Sequence, residues 1–327
     1  MHAAGRAVAL ALALCMAAGS ADAQQGPGGP GPAPASTAAQ PPGPPPGTPA
    51  PVPEVDHSAD CSSVCLRQYM DRYLAAWAAH DPSSLQVTPT LRVAENGQPV
   101  ALGDNVWKTI VRLRPQKIVF TDPFAGQVLA IGTLEMRAHE PFIYSVRLKI
   151  DKGRIDESET MVTSDKIAGQ HFRPDLIGQS AAVLGAVVPV AGRMSRAELL
   201  KAARVVWGID PGTPLPQSAT CLHYENFESP MGGSRCRGGP GRESRNQRIP
   251  LVDVEHGVVV KYQLEDFNDP QPRSPPPGEV DEKTPIFYYW PLTFVNMQLA
   301  RIADGKFQAD EMFMNIQPHG IPGVFRR

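Results

Sequence analysis

The chain has 327 residues, with 31 basic and 33 acidic side chains, a balance that gives no electrostatic reason to expect a nucleic acid or a membrane surface as partner. Twelve of its 35 prolines fall within residues 24–57. The remainder is of ordinary globular composition and long enough for two domains or one large one.

Residues 1–23 combine Arg6, an uncharged apolar run from Ala7 to Gly19 and the small-x-small site Ala21-Asp22-Ala23. This pattern reads as a secretory signal peptide and implies export to the periplasm or beyond. The run is shorter than the roughly 20 apolar residues a spanning helix needs. No later stretch is more apolar, so no transmembrane segment is expected in the mature chain. Residues 24–57, almost entirely Pro, Gly, Ala and Gln, have too few large apolar groups to offset the entropy of ordering them and read as a disordered linker.

The first helix follows. Val64, Leu66, Tyr69, Met70, Tyr73, Leu74 and Trp77 recur at helical spacing on one face, and Asp81-Pro82 stops the pattern. Cys61 and Cys65 stand four apart at its start, where a Cα separation of about 6 Å suits a disulfide. Free thiols or half a metal site are the alternatives. Metal is discounted, since no His or Cys sits at ligand spacing nearby and neither HExxH nor CxxC occurs. Beyond the helix, GQVLAIGTLEM, FIYSVRLKI and RIDESETMV alternate as strands, with a tight turn at Asp151-Lys152-Gly153.

A second helix opens with the capping box Ser195–Glu198 and ends before Asp210-Pro211. Cys221 and Cys236 then form the second expected bridge. The loop they close, with its continuation, gathers Arg235, Arg237, Arg242, Arg245 and Arg248, either an anion-binding cluster or a solvated loop. GVVVKYQLED, FVNMQLARI and KFQADEMFM alternate as strands, interrupted by a Pro-rich insertion near 268–285.

These elements repeat. Asp81-Pro82 matches Asp210-Pro211, Glu95-Asn96 matches Glu225-Asn226, Asp122 matches Asp253, Gly126 matches Gly257, Gly153 matches Gly305 and Glu159 matches Glu311. Two modules are therefore expected, 58–178 and a diverged 179–327. Each is a cone-shaped half-barrel in which helices pack on a curved antiparallel sheet, an α+β class.

RYLAAWAAHDPSSL at 72–85, RVAENG at 92–97 and the DKGRI hairpin at 151–155 resemble the nuclear-transport-factor-2-like fold. That superfamily includes ketosteroid isomerase, scytalone dehydratase and SnoaL-like cyclases, and the resemblance is nearest to secreted tandem members carrying AHDPS and ENG. Both copies are covered. By that resemblance Tyr73 takes the place of a tyrosine that stabilises a developing enolate, and Glu95 that of a general-base carboxylate. The family's protonated acid is missing near Val146-Arg147, so Arg147 or Tyr144 is the candidate oxyanion group instead.

A carboxylate raised in pKa by apolar walls can remove a proton beside a carbonyl, while a phenol bonds the oxygen where charge develops. Tyr73 and Glu95 are the candidates for those roles, and they are expected within about 8 Å across a cavity of at least about 300 Å³. Tyr69, Trp77, Arg92, Asn96, Trp107, Tyr144 and Arg147 are the candidate substrate contacts, and His223 and Glu225 the second-module candidates. Tyr73 also reads as core, and Glu95-Asn96-Gly97 as a turn. In the second module Ala202 replaces Tyr73.

No nucleophile elbow, Walker loop or dinucleotide fingerprint occurs. The expectation is a cofactor-independent lyase or isomerase acting on a small carbonyl-bearing or apolar metabolite, against a non-catalytic ligand- or protein-binding module. The assembly is expected to be a monomer with an internal pseudo-dimer, or a homodimer.

Overall fold

The structure, a computed structural model, describes residues 54–136, 140–165, 172–228, 236, 244–267 and 291–325. The expected signal peptide, the linker up to residue 53, the insertion near 268–285, and Arg235, Arg237 and Arg242 lie outside the described residues.

Helix α1 (Ser63–Ala78) starts where the Ser62 side chain accepts the Cys65 N–H, and the Cys61–Cys65 bridge, Cα atoms 5.3 Å apart, ties its first turn. It buries Leu66, Met70, Tyr73, Leu74, Ala76 and Trp77, while Val64 faces outward, 66% exposed. His80 leaves the helix at φ 57°, and the Asp81 side chain accepts the Ser83 N–H to open a short 3-10 turn.

Then come β1 (Val87–Glu95), β2 (Gln98–Pro99), the one-turn α2 (Val106–Thr109), β3 (Ile110–Asp122), β4 (Gln127–Met136), β5 (Pro141–Asp151) and β6 (Arg154–Thr163). A connecting helix α3 (Ile177–Leu184) leads to α4 (Arg196–Val206), which opens with the Ser195–Glu198 capping box. The second half continues as β7 (Gln217–Glu225), β8 (Ser244–Asp253), β9 (Val258–Phe267), β10 (Leu292–Ala303) and β11 (Lys306–Pro318).

The sheets run β2-β1-β6-β5-β4-β3 and β7-β11-β10-β9-β8. Apart from the small β2 edge their strand orders superimpose, and both are curved mixed sheets. Wholly antiparallel sheets were expected, but β1 pairs parallel to β6 and β7 parallel to β11. Hairpins fix the direction of the other main strands. The first strand of each half reaches the meander without a hairpin and lies along its last strand.

The matched turns share backbone conformation because they share turn chemistry. Asn96 (φ 49°) and Asn226 (φ 47°) are both left-handed, as are Gly126 and Gly257, both at φ 63°. Each asparagine side chain accepts a backbone N–H from the last strand of its sheet, Asn96 from Val162 and Asn226 from Met314. A Cβ on Gly126 would meet the Ile150 carbonyl at 2.5 Å and one on Gly257 the Ile302 carbonyl at 2.2 Å, so both positions require glycine.

Each sheet has one face under a helix and one against the other sheet. Under α1 lie Val128, Ala130, Leu134, Tyr144, Val146 and Leu148. Under α4 lie Val252, Val259, Ala300 and Ile302, with the Cys221–Cys236 bridge at the margin. Between the sheets Phe120, Leu129, Ile131 and Met161 meet Leu251, Val260, Tyr262, Met297 and Phe313. The matched aspartates cross this contact reciprocally. Asp122 accepts the Val252 N–H at 2.9 Å and Asp253 the Thr121 N–H at 2.8 Å. Among the described residues no helix is long and apolar enough to cross a membrane.

Candidate functional site

On the α1-covered face the register sets out rows of side chains. One row is Ala130, Val146, Thr160 and Glu95, and beside it run Gly132, Tyr144, Val162 and Val128, Leu148, Ser158, Val93. Tyr73 descends onto them from α1. It is 1% exposed, its hydroxyl bonds the Ser158 hydroxyl at 2.8 Å, and its ring meets Trp107 edge-on at 5.3 Å. Trp77 packs edge-on against Tyr144 at 5.5 Å. Glu95 reaches the same face half-buried, where its carboxylate accepts the Val106 N–H at the start of α2. Burial raises the Glu95 pKa, against that hydrogen bond.

Tyr73 and Glu95 are therefore neighbours, but Tyr73 is a sealed core residue whose hydroxyl is already bonded. Trp77, Trp107 and Tyr144 fill the space that an open chamber would need. Gly132 shows how tightly, since a Cβ there would meet the Tyr144 hydroxyl at 2.6 Å. Tyr69 donates to the Gly153 carbonyl at 2.5 Å and so holds the β5–β6 turn. Asn96 serves the turn described above.

Arg92 and Arg147 lie on the opposite face. Strand alternation gives Val146 and Leu148 to the α1 side and turns Arg147 toward the second sheet, where it is 1% exposed. There Arg147 donates to Glu159 at 2.9 Å, to Glu157 at 2.8 Å and to Gln127 at 2.7 Å. Arg92 pairs with Glu157, and Arg248 of the second sheet with Glu159. Burial alone would raise both carboxylates, and the guanidiniums outweigh it and hold them low. Phe325 closes the cluster, its ring 4.9 to 5.1 Å from all three guanidiniums. Beside it remains a void of about 20 Å³, room for a water molecule. A larger cavity of about 380 Å³ lies by the β3 bulge, but its Arg112 and Arg114 are both committed to Glu135.

The corresponding rows under α4 carry different chemistry. Lys261, Gln298, Met312 and Glu225 form one row, Gln263, Asn296 and Met314 the next, and Val259, Ala300, Asp310 and His223 the third. Lys261 thus stands where the first sheet has Ala130, Gln263 where it has Gly132, Asn296 where it has Tyr144, and Asp310 where it has Ser158. His223 Nδ1 bonds Asp310 at 2.5 Å and Nε2 bonds Glu225 at 3.0 Å. Burial opposes the charged ring, but the two carboxylates outweigh it and raise the pKa to about 9.

Lys261 is 3% exposed, its ammonium lies 5.0 Å from the centre of the Trp207 ring, and it makes no ion pair or hydrogen bond among the described residues. Burial pushes its pKa down to about 8, with Glu265 opposing. Gln263 Oε1 and Asn296 Oδ1 are likewise buried without a hydrogen-bond partner. Sequence reasoning named His223 and Glu225 here and missed Lys261, Gln263 and Asn296. The available signal was their position in the repeat, opposite Ala130, Gly132 and Tyr144.

No family model and no curated protein matches the chain. Among solved structures, a de novo designed protein with a curved β-sheet aligns with TM-score 0.27 and 16% identity over 31% of this chain and 88% of that one. AclR from Streptomyces galilaeus, a proposed hydroxylase, aligns with TM-score 0.25 and 14% identity over 44% of this chain and 97% of that one. Similarity at this level assigns neither a family nor an activity.

Proposed function

We propose that the α4-covered face of the second sheet is a chamber for a small carbonyl-bearing metabolite, handled there by proton transfer of the lyase or isomerase type. One observation carries this reading. Lys261, Gln263 and Asn296 are buried on neighbouring positions of one face, and each has unmet hydrogen-bonding or ion-pairing capacity. A buried unsatisfied group costs about 1–3 kcal/mol, and native chains seldom keep several together without a ligand or water to satisfy them. The Lys261 ammonium suits a carbonyl oxygen that gains charge, and Gln263 Oε1 and Asn296 Oδ1 suit the hydroxyl donors of such a metabolite. Lys261, poised near neutrality, and Glu265, next on that face, suit the proton.

Disulfides Cys61–Cys65 and Cys221–Cys236 fit an oxidising, extracytoplasmic setting for this chemistry. We read the paired sheets as an internal pseudo-dimer within the nuclear-transport-factor-2-like class, and expect a monomer in sedimentation. Binding without turnover is the second reading. It is favoured by His223, both of whose ring nitrogens are held by carboxylates, leaving none for a substrate.

The test is exchange of hydrogen for deuterium beside the carbonyl. A panel of small ketones and aldehydes is incubated with the protein in heavy water and followed by proton NMR. The first reading expects exchange that the Gln263→Leu/Asn296→Leu double variant loses. A compound that binds without exchanging establishes the second reading.

A further inference from the structure

We propose that Lys261 is an amine nucleophile that captures a small aldehyde or ketone as an imine on the α4-covered face; the proposal rests on the chamber reading above. Two buried arginines are each held by several acceptors. Arg147 is tied to two glutamates and a glutamine. Arg301 donates to the Leu184, Ala186 and His256 carbonyls and to Gln308. Both are guanidiniums, which do not deprotonate in proteins. Among the described residues Lys261 is the buried primary amine, and it has an indole face beside it in place of an anion.

An ammonium without an anion, in a dry setting, loses its proton readily, and burial lowers its pKa accordingly. The strand on which it stands places Gln263 two residues along on the same face, and the neighbouring strand places Gln298 beside it and Asn296 beside Gln263. An amine next to amide groups of this kind has what imine formation requires. The nitrogen lone pair adds to the carbonyl carbon, a C–N bond forms, and the carbonyl π pair moves to oxygen, which takes up a proton. The nitrogen gives up one proton, the hydroxyl takes up a second, the nitrogen lone pair forms the C=N bond as the C–O bond breaks and water leaves, and the iminium nitrogen then gives up its remaining proton. One water is released per imine, and nothing is oxidised or reduced. Gln263 Oε1 and Asn296 Oδ1, the acceptors without a partner, would accept from the hydroxyl that forms on the adduct. The ligand class is therefore a small aldehyde or ketone bearing hydroxyl or amide groups, not a bulky hydrocarbon.

The experiment traps the imine on the full-length wild-type protein. Glycolaldehyde is added at pH 7 with cyanoborohydride, whose hydride reduces the imine carbon to a stable secondary amine, and the modified lysines are located by peptide mass spectrometry. Lys117, Lys152 and Lys306, all exposed, serve as comparators in the same sample. Labelling of Lys261 about tenfold faster than these supports the proposal, since a lower pKa leaves more free amine at pH 7. Lys261 unlabelled, or labelled no faster than the exposed lysines, overturns it. Deuterium exchange that persists in that second case leaves the chamber reading intact and removes only the imine. Fast labelling of Lys261 without deuterium exchange by any ketone leaves amine capture standing and removes the proton-transfer reading.

Discussion

The two helix-covered faces share strand order, turn residues and register, yet one is a packed core and the other a row of buried amines, amides and acids. Under α1 the positions Ala130, Gly132 and Tyr144 let three aromatic side chains close the space. Under α4 the same positions hold Lys261, Gln263 and Asn296. A duplicated fold can divide its labour in this way. One copy, packed solid, supplies stability, and the other can carry polar groups that cost stability. The inter-sheet face shows a matching divergence. Glu159 and Glu311 are equivalent, but Glu159 has Arg147 and Arg248, while Leu299 stands at the Arg147 position and Glu311 accepts, among the described residues, from the Ser180 hydroxyl and the Phe227 N–H.

The largest expected effect breaks the paired member of this comparison. Arg147→Met leaves Glu157 and Glu159 buried with one arginine each, and should destabilise the protein by about 3 kcal/mol, the lower end for removing one partner of a buried ion pair. Leu299→Met, at the equivalent site, should cost less than about 1.5 kcal/mol. Urea unfolding of both variants decides it, and equal costs would mean that Arg147 holds nothing the second copy lacks.

Next comes Lys261→Met, which should stabilise the protein. The lysine is charged below pH 8 in the folded state and below its ordinary value of about 10.4 when unfolded. Between those values the unfolded chain binds the extra proton, so wild-type stability rises with pH there and is penalised below pH 8. Replacing the buried ammonium with an apolar chain should add about 2 kcal/mol at pH 7, with a smaller gain near pH 10. A loss of stability at pH 7 would show that the ammonium is well paired after all.

Glu311→Gln sharpens the inter-sheet comparison through pH. Burial, against the Phe227 N–H and Ser180 hydroxyl, raises the Glu311 pKa to about 8. Folded Glu311 therefore keeps its proton while the unfolded chain loses it, and wild-type stability falls from about pH 4.5 to pH 8. Glutamine mimics the protonated form and has no such fall. The variant should match the wild type near pH 4 and exceed it by up to about 2 kcal/mol at pH 8. Thermal unfolding at both pH values measures this, and parallel curves would refute a proton held on Glu311.

The repeat was legible in the sequence because its punctuation is backbone chemistry. Asn96 and Asn226, Gly126 and Gly257, and Lys152-Gly153 and Asp304-Gly305 occupy positive φ, and few residues tolerate that. Which face of each strand matters was not legible. VVVKYQLED alternates, and alternation ordinarily sends the polar set to water. Here both faces are covered, so Val260, Tyr262 and Leu264 meet the other sheet while Lys261 and Gln263 go under α4. The same ambiguity placed Arg147 with Tyr73 in the sequence reading, when the strand turns it away.

The smallest effect concerns Tyr73, where the resemblance to the nuclear-transport-factor-2-like fold implied chemistry. Tyr73→Phe keeps the edge-on contact with Trp107 and the ring volume, and removes one hydrogen bond, to the Ser158 hydroxyl. Ser158 is itself fully buried, so its hydroxyl loses a partner, and the change should cost about 1 kcal/mol. A catalytic phenol would behave otherwise, because removing a donor to a developing oxyanion typically costs about 100-fold or more in rate. If the working face lies under α4, Tyr73→Phe leaves deuterium exchange unchanged while Lys261→Arg lowers it. The reverse pattern, a modest stability loss at Tyr73 accompanied by collapse of exchange, would return the chemistry to the α1 side and make the aromatic packing there the wall of a site that opens to admit its substrate.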